Sequence, residues 1–438
     1  IKWLAERRAS DPAFCPYAPA TADKLGFYGA GGNAMALFMA DVERRSAARM
    51  IAYLRTLGSK ALFTNANNGP HPVAMQNVRA DLYDYVDDHF YVDHPHFLER
   101  RWRLPSKIGN LNPVLDKKLA LVGPAFVRLA DKPICITEWN FSGPGMYRGV
   151  GGIMTGALSA LQDWDGLWRF AYSHGLDNLY DRKGVPGYFD VASDPLGQAG
   201  DRASVCLFLR GDLAPLADMI ANAVTPDTFL PKDGPTGLVP PWKDAAWQIR
   251  TATAVKPVPG LKTFNLKEQL ARKEPPVALR PNPAIDLDRT RGTFRIVTEK
   301  TAGGFTPSGT IQAGAVAFDA GDVATTLWAS SLDGRPLATS RRMLVTHLTD
   351  VQNSGIRYAD AGKRILLDWG TLPHLMRAGR AEVSLALADG DWTVWALAPT
   401  GRRLRAVPAV RRDGRLAFTA DVAADPAHAT YLYELVRE

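Results

Sequence analysis

The sequence predicts an α/β fold, the C-terminal half of a (β/α)8 TIM barrel, followed by an all-β sandwich. Between residues 26 and 212, helical patterns alternate with short apolar runs that end in polar or aromatic residues, which is typical of βα units. From residue 291 onward the apolar period changes to two, as in a sandwich. Four strand–loop units are present where a full barrel has eight, so the first strands of the barrel are predicted to be lacking.

The elements of the first region follow from periodicity. Apolar residues at helical spacing predict a helix over residues 35–57, with Gly58 as its C-cap. The same reasoning predicts strands at 60–64, 85–91, 134–136 and 166–172, helices at 114–130 and 151–161, and a closing helix with a short strand within 190–212.

Composition divides the chain into three parts. Residues 1–212 are predicted to form the half barrel, and the dense prolines of residues 213–285 predict an extended connector with one or two helical pieces. Residues 286–438 are predicted to form the sandwich, with Asp-Gly turns and with strands at 293–297, 323–329, 343–348, 381–387 and 392–397. Residues 1–8 have the pattern of an amphipathic helix entered partway, so the chain is expected to be the later portion of a longer protein.

Charge and hydropathy exclude some classes of function. The net charge of +7 is spread along the chain without a nucleic-acid-binding motif, so no nucleic-acid partner is expected. No run of about 18 apolar residues is present, so no membrane span is expected. Three distant cysteines neither require nor exclude a disulfide, and no cofactor is predicted.

The most informative segment runs from Pro133 to Asn140. A short apolar run ends abruptly at Glu138, Trp139 and Asn140, at the predicted carboxyl end of a buried parallel strand. Functional residues of barrels and open α/β sheets lie at such ends. Glu138 is therefore the candidate catalytic carboxylate; the alternative is a structural ion pair with an arginine.

Residues of the types that contact sugars accompany Glu138. Aromatic rings offer flat apolar faces, although they also fill barrel cores. Strand alternation places His89 and Tyr91 on one face at a strand end. The predicted substrate-binding residues are Asn65, His89, Tyr91, Trp139, Asn140, Trp168 and His174.

These motifs resemble one enzyme family. Thr137-Glu138-Trp139-Asn140 is similar to the seventh strand of the retaining glycoside hydrolases of clan A, where the glutamate is the nucleophile. Asp88-His89-Phe90-Tyr91 resembles the sixth strand of cellulase-type members, whose tyrosine donates a hydrogen bond to the nucleophile. Trp168 resembles the sugar platform of the eighth strand, and Thr64-Asn65 would end the fifth. The resemblance spans roughly residues 30–212.

The resemblance implies cleavage of a β-linked oligo- or polysaccharide by double displacement, in a secreted or periplasmic protein. In that clan the acid/base glutamate follows an asparagine at the end of the fourth strand. No Asn-Glu pair precedes Asn65, and Asp41 and Glu43 lie inside a predicted helix. The resemblance therefore implies that the acid/base and the N-terminal barrel half lie upstream of Ile1, and that this chain alone is impaired as a glycosidase.

Two alternatives remain open. A carbohydrate-binding protein without catalysis requires only an aromatic-lined groove and is favoured by the lack of a second carboxylate. A metal-dependent hydrolase could use the loop that carries His89, Asp93, His94 and His96, whose side chains suit zinc. Pro95 and the close spacing restrict tetrahedral geometry there, so no metal ligand is assigned.

Overall fold

The computed structural model describes residue 9 and residues 32–67, 72–117, 119–180, 184–185, 187–225, 228, 235, 237–425 and 427–437. Its α-helices are α1 (Gly32–Thr56), α2 (Pro72–Leu82), α3 (Pro124–Val127), α4 (Gly151–Leu161), α5 (Leu176–Tyr180), α6 (Pro195–Ser204) and α7 (Leu266–Ala271). Single 3₁₀ turns lie at Ala120–Val122, Arg148–Val150 and Lys243–Trp247, and a π-helix follows α6 at Val205–Leu209.

The strands of the first part of the chain are β1 (Val86–Val92), β2 (His96–Phe97), β3 (Ser106–Lys107), β4 (Ile134–Phe141), β5 (Gly166–Arg169), β6 (Met219–Ala223), β7 (Arg250–Ala254) and β8 (Lys262–Asn265). The later strands are β9 (Ile285–Asp288), β10 (Thr293–Val297), β11 (Thr301–Thr306), β12 (Thr310–Ala313), β13 (Val316–Asp319), β14 (Thr325–Ser331), β15 (Arg342–Leu348), β16 (Val351–Ser354), β17 (Arg357–Tyr358), β18 (Ile365–Asp368), β19 (Thr371–Met376), β20 (Arg380–Leu385), β21 (Trp392–Leu397), β22 (Arg403–Val407), β23 (Ala409–Arg412), β24 (Arg415–Asp421) and β25 (Leu432–Arg437).

The N-terminal region contains a parallel sheet with the strand order β1-β4-β5. Its strands match three of the four predicted strand–loop units. The first predicted strand, residues 60–64, is not a strand: Leu62 is exposed, and side chains make two of its contacts with the start of β1 (Phe63 N to Asp84 Oδ2, 2.7 Å; Thr64 Oγ1 to Asp87 Oδ1, 2.9 Å). The fold is thus a mixture of α and β, and among the described residues this sheet does not close into a barrel.

Helix α1 ends as the sequence predicts. Gly58 has a φ of +83°, a conformation that L side chains rarely adopt. Its N–H donates to Arg55 O, and Ser59 N–H donates to Leu54 O at 3.1 Å. These two bonds form the Schellman motif, which satisfies carbonyls that the helix end would otherwise leave unpaired.

Three other predictions change. The helix predicted over 114–130 is replaced by the 3₁₀ turn at Ala120–Val122 and the single turn α3, because Pro124 cannot continue a preceding helix and instead begins a new one. The segment 213–285 has the helical pieces Lys243–Trp247 and α7, but it also contains a second parallel sheet, with the order β7-β6-β8. The short strand predicted at the end of 190–212 is a π-helix at Val205–Leu209.

Helix α4 is buried at every residue and packs on α6. Glycines allow close contact: a Cβ on Gly152 would lie 1.8 Å from the carbonyl oxygen of Gly200, and one on Gly156 would lie 2.5 Å from Ser204 Cα. This helix pair covers one face of the parallel sheet that bears Glu138.

The C-terminal region is built from antiparallel sheets. An eight-stranded sheet has the order β22-β21-β25-β15-β14-β11-β10-β9, and a five-stranded sheet has the order β12-β13-β20-β24-β23. One hydrophobic cluster joins these two sheets, as in a sandwich, with Leu327 and Val345 on one side and Phe318 and Phe418 on the other.

A second hydrophobic cluster joins the eight-stranded sheet to the α/β region. Phe294 and Trp328 belong to the same cluster as Phe141 and Leu196, so this core crosses the predicted boundary at residue 286. Within the described residues, no helix is long and apolar enough to cross a membrane. The prediction for residues 1–8 lies outside the described residues.

Candidate functional site

The register of β1 and β4 creates the candidate site. His89 and Glu138 are paired across the two parallel strands, and Tyr91 pairs with Asn140 two residues further on. Because side chains alternate along a strand, His89 and Tyr91 project to the same face as their neighbour Glu138. The carboxylate therefore lies at the carboxyl end of the sheet beside two hydrogen-bonding rings.

Both rings contact the same oxygen of Glu138. The Tyr91 hydroxyl donates to Oε2, and His89 Nδ1 lies 3.3 Å from that atom. Among the described residues, no hydrogen bond reaches Oε1. Burial and the Glu138 charge raise the pKa of Tyr91, so the phenol remains a protonated donor at neutral pH.

One ring nitrogen of His89 faces Glu138, and the other faces polar side chains. The Asn67 side-chain amide donates to Asp87 Oδ2 at 2.9 Å, and its nitrogen lies 3.0 Å from His89 Nε2. Nδ1, on the other side of the ring, is the atom that lies near Glu138.

A network of hydrogen bonds around Asp87 orients the His89 ring. Asp87 is buried, and its carboxylate accepts hydrogen bonds from Thr64 (2.9 Å), Asn67 and Thr137 (3.3 Å). Thr137 Oγ1 also lies 2.8 Å from His89 Nε2. The imidazole orientation is therefore fixed by groups on three segments of the chain.

Glu138 opens into a cavity of about 660 Å³, which we call the Glu138 cavity. Glu138 is the only carboxylate among the described residues that line it. Aromatic and imidazole rings supply most of its walls: His89, Phe90, Tyr91, His94, Trp102, Phe170, His174 and Phe189. The volume and the mixture of apolar walls with a few polar groups are typical of a small-molecule site.

The two predicted tryptophans do not lie in this cavity. Trp139 is buried on the opposite face of β4, where the Arg169 guanidinium lies 4.4 Å from its ring. Trp168 is exposed, and its ring covers Gly166 in a separate groove next to α6 and the π-helix. The structure therefore separates both indoles from Glu138.

Asn140 and Asn65 also have other partners. Asn140 is buried and donates to the carbonyl oxygens of Phe170 (2.5 Å) and Phe189 (3.0 Å), so it positions the segments that carry two cavity rings. Asn65 is exposed and donates to Glu43 of α1 at 2.8 Å. His174 does line the cavity, with its Nδ1 2.8 Å from Asp190 Oδ1.

The loop proposed as a metal site does not gather its ligands. Asp93 accepts from the Asn110 backbone, His94 lies among the rings of the cavity, and His96 is exposed on β2. Within the part of the chain that the structure describes, no group of three His, Cys, Asp or Glu side chains could hold a metal ion.

Sequence reasoning missed Asn67, Phe170 and Phe189. Asn67 belongs to the polar turn that follows residues 60–64, two residues after the predicted Asn65. Phe170 comes directly after β5, where strand alternation no longer predicts direction. Phe189 is held beside the cavity by a hydrogen bond from Ala171 N–H to its carbonyl oxygen. This contact joins two separate segments, so no local sequence pattern predicts it.

No family model and no curated protein matches the chain. Among solved structures, the chain is similar to AbfB, a family 51 α-L-arabinofuranosidase from Bifidobacterium longum, with 9% sequence identity and a TM-score of 0.23. The alignment covers 92% of this chain and 62% of the arabinofuranosidase chain, so this chain spans less than two thirds of the length of the arabinofuranosidase. A similarity this weak carries no argument about function.

Proposed function

We propose that the protein is a glycoside hydrolase that acts on a β-linked saccharide by a retaining mechanism, with Glu138 as the nucleophile. The observation that carries the proposal is the fixed carboxylate in a ring-lined cavity: Tyr91 and His89 both contact Glu138 Oε2. The motifs around these residues, which resemble clan A enzymes, support the same assignment.

In the proposed reaction, Oε1 of Glu138 attacks the anomeric carbon while Tyr91 and His89 hold Oε2. The bond from the anomeric carbon to the glycosidic oxygen breaks, and its electron pair leaves with that oxygen, which takes a proton from a general acid. Water then attacks the anomeric carbon and gives a proton to the conjugate base of the general acid, while the bond from that carbon to Oε1 breaks and restores the Glu138 carboxylate. Phe170 and Phe189 would provide the apolar surface that excludes bulk water.

An activated substrate tests the nucleophile without requiring a general acid. Dinitrophenyl 2-deoxy-2-fluoro-β-glycosides have a leaving group that departs as a phenolate, and the fluorine slows hydrolysis of the ester. We expect mass spectrometry to find one sugar attached to the peptide that contains Glu138, and none in Glu138→Gln. A label on another carboxylate, or no label with glucosyl, xylosyl, mannosyl and galactosyl reagents, would refute the proposal.

A carbohydrate-binding protein without catalysis is the second candidate. It is favoured by the observation that Glu138 is the only carboxylate among the described residues that line the cavity, whereas glycosidases use a pair. In that case Glu138→Gln would bind saccharides as tightly as the wild type, and neither protein would be labelled. Calorimetric titration of both proteins with the same sugars separates the two candidates.

A further inference from the structure

A second cavity of about 580 Å³ lies next to the Glu138 cavity; we call it the Tyr180 cavity. The same two segments contribute to both. Phe170 and His174 line the first cavity, whereas Tyr172 and Asn178 line the second. On the other segment, Phe189 lines the first cavity and Ser193 the second.

Hydrogen bonds hold these two segments together. Val191 N–H donates to Ala171 O at 3.0 Å, and Ala192 N–H donates to Tyr172 O at 2.9 Å. The Asp190 carboxylate accepts from Asn178 Nδ2 at 2.9 Å and contacts His174 Nδ1, so it links a side chain of each cavity. The two cavities therefore share one fixed wall.

The wall of the Tyr180 cavity combines rings with uncharged polar groups. Tyr172 and Tyr180 are 69% and 77% exposed, although large apolar rings are usually more buried. Gln198 Nε2 donates to the carbonyls of Val191 and Ala192, which leaves its Oε1 as the acceptor. The Ser193 hydroxyl is buried and has no hydrogen-bond partner among the described residues.

Charge restricts the chemistry of the ligand. Among the described residues that line the Tyr180 cavity, none is Asp, Glu, Lys or Arg. Burial lowers the pKa of His374, which is therefore neutral at pH 7. Flat rings together with hydroxyl and amide groups fit a neutral polyhydroxylated molecule, and they offer no counter-charge to a phosphate or a carboxylate.

The C-terminal region supplies one side of this cavity. Leu372 and His374 lie on β19, which is paired with β16. The cavity is therefore formed jointly by the loop after β5, the start of α6 and a strand of the C-terminal region.

We propose that the Tyr180 cavity binds further units of the neutral oligosaccharide whose reacting unit lies at Glu138, with Tyr172 and Tyr180 as stacking rings. This inference rests on the proposed function and adds to it: the substrate class is an uncharged oligo- or polysaccharide, and the C-terminal region takes part in binding it.

The test compares ligands of different length. Calorimetry measures the Kd of a disaccharide and a hexasaccharide from each of the xylan, β-glucan and β-mannan series. We expect the Kd of the wild type to be at least about tenfold lower for a hexasaccharide than for the disaccharide of the same series. In the double variant Tyr172→Ala/Tyr180→Ala, this ratio of Kd values should fall by at least about fivefold. Tyr172→Phe/Tyr180→Phe keeps both rings and should keep most of the gain.

Tyr53→Ala is the matched control, because Tyr53 is an exposed tyrosine on α1 and lines neither cavity. Equal Kd values for short and long ligands, or no effect of the double alanine variant, would overturn the inference. So would a failure of the wild type to bind any hexasaccharide of the panel.

The labelling of Glu138 keeps this result separate from the proposed function. A label at Glu138 without length-dependent binding refutes the second site alone. Length-dependent binding that requires the two tyrosines, without any label, refutes the nucleophile and leaves the second site in place.

Discussion

At the scale of single residues, the site depends on how Glu138 is held. One carboxylate oxygen contacts both Tyr91 and His89, and the other oxygen is left for chemistry. His89 is in turn oriented by Asn67 and Thr137. As the proposed nucleophile, a carboxylate fixed in this way would need little reorganisation when the proposed sugar substrate binds.

Removal of the Tyr91 hydroxyl tests whether its hydrogen bond to Glu138 matters for the reactivity of the carboxylate. A hydrogen bond to a charged group contributes about 1.5–3 kcal/mol, so Tyr91→Phe should slow labelling of Glu138 by roughly 10- to 100-fold. Tyr188→Phe is the control, because the Tyr188 hydroxyl donates to Ser106 Oγ at 2.8 Å and not to Glu138. The pseudo-first-order rate of labelling, followed by intact-mass spectrometry, gives the result. Equal rates for Tyr91→Phe and the wild type would show that the hydroxyl has no role.

The buried His347 leads to a second prediction, which concerns the pH dependence of stability. It lies on β15 with no exposed surface, and burial lowers its pKa to about 4 from an ordinary value of 6.5. The unfolded chain therefore binds a proton between these two pH values that the folded chain does not bind. The stability that depends on neutral His347 is complete above pH 6.5 and is lost as the pH falls towards 4.

Lowering the pH from about 7 to about 4 should reduce the free energy of unfolding of both proteins. We expect this reduction to be roughly 2–3 kcal/mol smaller in His347→Leu than in the wild type. Urea unfolding at a series of pH values measures the difference between the two curves, which removes the contributions of other groups. The exposed His428 is the control, and His428→Leu should follow the wild type. Parallel curves for His347→Leu and the wild type would contradict the prediction.

At the scale of elements, the close packing of α4 on α6 sets a strict limit on residue size. A methyl group on Gly152 would overlap the backbone of Gly200, which cannot rotate away as a side chain could. The gain of about 1 kcal/mol in helix propensity from glycine to alanine does not offset this clash. We expect Gly152→Ala to reduce the free energy of unfolding by about 1–3 kcal/mol or more.

Gly237→Ala is the matched control, since no atom of the described residues lies within 4 Å of its added Cβ. Denaturant titration followed by circular dichroism compares the two variants. If Gly152→Ala were as stable as Gly237→Ala, the helices would be less closely packed than the structure shows.

Periodicity predicted the elements that are long or strongly alternating. The bounds of β10 and β21 match the predicted strands at residues 293–297 and 392–397. It failed where pairing between segments decides: residues 60–64 have a strand-like composition, but Asp84 N–H to Phe63 O is a single backbone hydrogen bond, and side chains make their other contacts with residues 84–87. Within the site, alternation on β1 found His89 and Tyr91, whereas Phe170 and Phe189 depend on contacts between segments.

At the scale of the whole molecule, Arg148 connects the α/β region to the C-terminal sheets. It is buried, forms a bidentate pair with Asp194 at the start of α6, and donates to Val351 O at 2.7 Å and to Asp350. Burial alone would raise the pKa of Asp194, but the charge and hydrogen bonds of Arg148 hold it below its usual range. Arg148 is thus paired with two buried carboxylates, of which Asp350 also lies 3.4 Å from Lys363 Nζ.

Replacement of that guanidinium should weaken the joined core of both regions. Breaking a buried pair costs about 3–5 kcal/mol because a charge is left without a partner, so we expect Arg148→Met to lose about that much stability at pH 7. Arg357→Met is the control, since the exposed pair of Arg357 with Asp368 contributes about 1 kcal/mol or less. Urea unfolding with tryptophan fluorescence measures both variants.

The pH dependence of this deficit identifies its cause. In Arg148→Met, Asp194 loses the guanidinium that holds its pKa low, so its pKa should rise, and protonation should relieve the cost as the pH falls. The difference in stability between the variant and the wild type should then be largest near neutral pH and should shrink below about pH 5. A deficit that is constant across this range would mean that lost packing, and not unpaired charge, accounts for the role of Arg148.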